Sequence, residues 1–66
     1  MPVYKISEMV GTSNESYADA TDAALQRALK SLRNVDWWEV QELRGAVRDG
    51  KLEYQVKLKI GFRLED

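Results

Sequence analysis

The residues of this chain best suited to chemistry are a pair of adjacent tryptophans, Trp37 and Trp38, together with the amide and cations that alternate through the segments after them. Catalysis at neutral pH usually recruits histidine, cysteine, or a carboxylate or lysine of shifted pKa, and the sequence has no histidine and no cysteine. Ser13 and Ser16 fall where capping of a helix start explains them, and a serine nucleophile has no histidine to activate it. Gly11 stands alone and makes no glycine-rich phosphate loop. The usual zinc ligands and any disulfide are likewise ruled out. An enzyme is not expected, and no metal site; the chemistry that remains is binding. A large flat indole beside an amide and basic groups is a receptor for a planar heteroaromatic ring with hydrogen-bonding edges and an attached phosphate, a description that fits nucleobases and flavins.

What must position these residues is read most clearly from Lys51–Leu64. There Leu52, Tyr54, Val56, Leu58, Ile60, Phe62 and Leu64 take every second position, with Glu53, Gln55, Lys57, Lys59, Gly61 and Arg63 between them. A period of two predicts a strand with one apolar and one polar face. Val35–Arg48 predicts a second strand whose parity breaks: Trp38 and Val40 are even, Leu43 and Val47 odd. A β-bulge near Gln41-Glu42 keeps all four on one face. The other face then carries Trp37, Glu39 and Gln41 before the bulge, and Arg44, Ala46 and Arg48 after it. Asp49-Gly50 is a strong two-residue hairpin signal between these strands.

Upstream, Val3–Val10 reads as a strand and Gly11-Thr12-Ser13-Asn14 as a loop. Ser16 and Asp19 resemble a capping box, and Ser13 is the rival cap. From Tyr17 to about Arg33 the spacing becomes helical, with Tyr17, Ala20, Ala24, Ala28 and Leu32 on one stripe and Leu25 and Leu29 alongside. Asn34 ends the helix. The expected fold is α+β, a single domain over residues 1–66 in the order β-α-β-β, with the helix on the apolar face of a three-stranded antiparallel sheet ordered 1-3-2.

Neighbouring side chains in a strand point to opposite faces, so one tryptophan must leave the helix-covered side. Parity with Val40 sends Trp38 to the core and Trp37 to the open face, with Gln55, Lys57 and Arg44. Trp37 there serves either as a ring-stacking platform or as the anchor of a subunit interface, where tryptophan is enriched. Ordinary solvated polarity is the plain account of Gln55, Lys57, Arg44 and Arg63. A chain of 66 residues without disulfide or metal has oligomerisation as its remaining route to a sufficient core. Ten basic and eleven acidic residues give a net charge of −1, which offers no global field for nucleic acid or an anionic membrane. With no apolar run of membrane-spanning length and no signal-peptide core at the start, the expectation is a soluble, cytoplasmic protein.

The segments V-Y-K-I, V-G-T-S, N-V-D-W-W-E-V, L-R-G, the D-G turn and Y-Q-V-K-L-K-I-G-F-R-L, in that order, resemble the dodecins, small flavin-binding proteins that assemble as hollow dodecamers. The resemblance covers nearly the whole chain. It implies that Trp37 stacks on the isoalloxazine ring, that Gln55 hydrogen-bonds the ring's polar edge, and that sites lie where subunits meet. Arg44 and Arg63 match positions implicated in binding the phosphates of FMN or coenzyme A in bacterial dodecins, and Lys57 joins them as a cation of the same face. The implied cofactor is FMN or riboflavin, with FMN favoured by the basic residues, and coenzyme A is a further ligand the resemblance allows. The function it implies is storage of flavin with quenching of its photochemistry, carried out by a homo-oligomer without nucleic-acid or membrane partners. The rival readings are a coenzyme A or nucleotide-binding assembly and a purely structural oligomer.

Overall fold

The computed structural model describes residues 1–65, so the single-domain expectation over 1–66 extends one residue past it, to Asp66. Four elements follow one another: strand β1 (Tyr4–Ser13), helix α1 (Tyr17–Ser31), and strands β2 (Val35–Arg48) and β3 (Lys51–Arg63). The sheet is ordered β1-β3-β2 and both pairings are antiparallel, as the alternation and the hairpin signal predict. Asp49 and Gly50 both take positive φ, at 51° and 76°, the backbone that a tight two-residue hairpin requires. Because the hairpin arms are long, the molecule measures 49 × 20 × 14 Å.

Helix α1 begins where its capping residues place it: the Ser16 side chain accepts from the Asp19 amide at 2.9 Å, while Ser13 Oγ donates to the Asp19 carboxylate at 2.8 Å. It ends at Ser31, with Leu32 in extended conformation as its cap, two residues short of the expected Arg33. Strand β1 differs more. Gly11, Thr12 and Ser13, expected in a loop, continue the ladder opposite Val56, Gln55 and Tyr54. The strand persists because Gly11 lies directly beneath the helix: a Cβ there would collide with the Ala20 carbonyl and stand 2.9 Å from Ala24 Cβ. A glycine that reads as punctuation is here a point of close approach between backbones.

Ala20, Ala24 and Ala28 close onto Val56, Leu58 and Ile60, and these six residues are the buried core. The helix packs mainly on β1 and β3 and touches β2 only marginally. This corrects one expectation. Trp38, Val40, Leu43 and Val47 do share the helix-side face, opposite Ile60, Leu58, Val56 and Leu52, but the helix leaves them exposed. Trp38 is 53% exposed and Val47 70%, so Trp38 is not in the core of one chain. The bulge between Val40 and Glu42 lies where parity demands it; Glu42 pairs with Lys57 and Gln41 is the extra residue. A second irregularity, between Val35 and Trp37, leaves Asp36 without a partner and was not legible from parity.

Candidate functional site

The open face of the sheet carries, from β3, Gln55, Lys57, Lys59, Gly61 and Arg63, and their cross-strand partners from β1 and β2. Two distinct clusters form on it. The first is built on Trp37, which pairs with Gly61. A Cβ at Gly61 would meet Cε2, Cζ2 and Cη2 of the indole at nearly equal separations, shorter than van der Waals contact, so the six-membered ring lies face-down on the strand. Only a glycine lets an indole lie this low. From β1, the Tyr4 ring packs on the same indole in a T-shaped arrangement, with ring centroids 4.9 Å apart and planes at 63°. The Asp36 carboxylate is the main cause that raises the Tyr4 pKa above its ordinary value; loss of hydration adds to this and Arg63 opposes it. One indole face is thus occupied and fixed, and the side chain is still 37% exposed.

Gly61 is a site residue that parity alone did not single out. Its signal was an isolated glycine inside an otherwise perfect alternation. Gly61→Ala is expected to lift the indole from the strand at a cost of about 1–3 kcal/mol. The near-UV circular dichroism of the tryptophans should change markedly while the far-UV spectrum persists. An unchanged near-UV spectrum contradicts this packing.

The second cluster lies nearer the hairpin. Arg44 Nε donates to Gln55 Oε1 at 2.6 Å, and Gln55 Nε2 donates to Glu53 Oε1 at 2.8 Å. Arg48 Nε stands 3.6 Å from the same Glu53 oxygen. Gln55 is 6% exposed, and its amide orientation is set from both sides. An amide oxygen has two lone pairs and an amide nitrogen two hydrogens. These two bonds leave one lone pair and one N–H of the amide over. Lys57 Nζ, 3.9 Å from Glu8 Oε2, joins Val10, Glu42, Arg44 and Gln55 around a shallow cavity of about 220 Å³.

The sequence expectation of one open face carrying Trp37, Gln55, Lys57 and Arg44 is therefore met, but not as a single site within one chain. Gln55 and Gly61, under Trp37, lie six residues apart on β3, roughly 20 Å along the strand. Shared parity aligns residues on a face without making them neighbours. Arg63 belongs to the Trp37 end, where it lines a cavity with Asn34, Val35 and Asp36, away from Arg44 and Lys57. A single planar ring cannot span that distance, so one that uses both Trp37 and Gln55 draws them from different copies of the chain. Among the described residues there is no group of three or more carboxylates suited to hold a metal ion, and no helix is long and apolar enough to cross a membrane.

Fold and site together define a small β-α-β-β protein with an aromatic platform on the open face of its sheet. A family model described as Dodecin matches residues 3–65. A curated dodecin from Thermus thermophilus is 55% identical over 65 residues, covering 97% of this chain and 94% of the relative. A second curated relative, called calcium dodecin, from Mycobacterium tuberculosis, is 37% identical over 65 residues, covering 97% and 92%. Among solved structures, the tt0972 protein from Thermus thermophilus superposes with a TM-score of 0.93 at 52% identity, covering 100% of this chain and 98% of the other. The chain belongs to the dodecin family.

Proposed function

We propose that this protein is a flavin store: it binds FMN or riboflavin by stacking the isoalloxazine ring on Trp37, between copies of the chain, and quenches the bound flavin's photochemistry. The observation that carries this reading is the indole laid on Gly61 with Trp37 still 37% exposed, on the same polar face as an amide with one donor and one acceptor to spare. Family membership supports it, since dodecins are known for flavin binding. Stacking a ring on an aromatic side chain contributes about 1–3 kcal/mol. The imide edge of a flavin has the N–H and C=O groups that the free positions of Gln55 complement. An electron-rich indole in contact with an excited flavin passes it an electron, and the pair relaxes without emission.

Assembly is part of this function. Trp38, Val40, Leu43 and Val47 form an exposed apolar row of the kind that marks an interaction surface, and neighbouring copies are its natural cover. A hollow dodecamer brings Trp37 of one chain to Gln55 of another. Arg63, beside Trp37, is the better placed cation for a phosphate, with Lys57 available at the Gln55 end; Arg44 is already committed to Gln55 and acts first by orienting it.

Titration of the apo-protein with FMN and with riboflavin, on a sample whose particle mass is measured, tests the reading. Saturable quenching of flavin emission on a particle of about twelve chains is expected, with FMN bound more tightly than riboflavin. If neither flavin is quenched while coenzyme A binds, the site serves a nucleotide instead. If nothing binds to an intact particle, Trp37 is an interface residue only.

A further inference from the structure

Tyr4 has no part in the site as described so far beyond its contact with Trp37, yet its surroundings tie it to three residues of that end of the sheet. It pairs with Arg63 across β1 and β3, and Trp37 pairs with Gly61 across β2 and β3, so the two aromatic side chains come from the outer strands and meet over the central one. Their centroids are 4.9 Å apart at 63°, an edge-to-face arrangement in which the rim of one ring meets the other ring. Gly61 supports the indole from below but cannot stop it sliding or tilting across the strand. Tyr4 supplies that lateral stop. The Asp36 carboxylate, in the irregularity immediately before Trp37, is the main cause that raises the Tyr4 pKa.

We propose that Tyr4 is a positioning residue for ring binding, holding the Trp37 indole at the tilt that receives a planar ligand. The proposal rests on the stacking function of Trp37. A platform held in its binding geometry before the ligand arrives loses less side-chain freedom on binding, and that difference appears as affinity. Tyr4 does not itself bond the ring; its effect passes through the indole.

The test uses the full chain carrying Trp38→Phe, so that Trp37 is its only indole. In this background Tyr4→Leu removes the ring, and Tyr4→Phe keeps the ring but loses the hydroxyl. Two quantities are read: the near-UV dichroism and fluorescence anisotropy of Trp37 in apo-protein, and the affinity for FMN and riboflavin at confirmed particle mass. For Tyr4→Leu the expected result is a loss of at least half the Trp37 dichroic signal with lower anisotropy, and affinity weakened about 3- to 10-fold for both flavins alike. Tyr4→Phe, which keeps the ring against the indole, should stay close to the background protein. Should Tyr4→Leu fail to assemble, Tyr4→Thr, a good strand former without a ring, carries the same expectation. Unchanged dichroism and anisotropy in the ring-less variant overturn the proposal, as does a Tyr4→Phe variant as impaired as Tyr4→Leu. The apo measurement needs no ligand, so it decides the positioning role even if the parent protein binds no flavin, which is the outcome that removes the stacking function itself.

Discussion

Replacing Trp37 with alanine is expected to weaken FMN binding by about 100-fold and to restore emission from whatever flavin remains bound. The magnitude follows from deleting the whole stacking surface, worth about 1–3 kcal/mol per ring, with each 1.4 kcal/mol a factor of ten. It sits at the upper end because Gly61 offers no replacement: beneath the lost indole there is only backbone. The particle should remain assembled, since Trp37 projects from the polar face while the apolar row of Trp38, Val40, Leu43 and Val47 lies on the other. Particle mass and a flavin titration on the same sample check this. If the variant falls apart into smaller species, Trp37 is an interface anchor and its contribution to binding is indirect.

The second large effect is on folding. Gly11→Ala is expected to lower the melting temperature by more than 10 °C, read by far-UV dichroism. The added methyl group would run into the carbonyl of Ala20 and stand 2.9 Å from the Ala24 side chain, and neither is the flexible tip of a long residue. Relief requires the helix to lift from β1, which opens the contact between Ala20, Ala24 and Ala28 and the Val56-Leu58-Ile60 row. Overpacking of this kind costs about 3 kcal/mol, and a domain of this size loses roughly 4–8 °C per kcal/mol. A variant that melts within 2 °C of the parent contradicts so close a helix-to-sheet approach.

Much of this architecture is legible in the sequence because two simple periods carry it. Strict alternation in β3 defines both faces of the sheet, and the broken alternation in β2 places a bulge at Gln41 without any knowledge of the fold. The alanine stripe of the helix marks its buried side. What escapes is whatever depends on which strand lies under which element. Parity sends Trp38 to the helix side, but only the packing reveals that the helix rests over β1 and β3 and meets β2 only marginally. The site behaves in the same way. Trp37 and Gln55 share a face by parity, while their separation along β3 depends on register, which the hairpin fixes from its far end. Both glycines that matter, Gly11 and Gly61, read locally as a loop start and a gap in a pattern; each is a close approach made by a residue distant in sequence.

A crystal structure of the assembled protein with FMN is the most direct test of the central claim. The isoalloxazine ring should lie against the outer face of Trp37, with Gln55 of a neighbouring copy on the ring's N–H and C=O edge and the phosphate directed toward Arg63 or Lys57. FMN found elsewhere, or stacked on Trp37 with no second copy completing the site, would contradict the account.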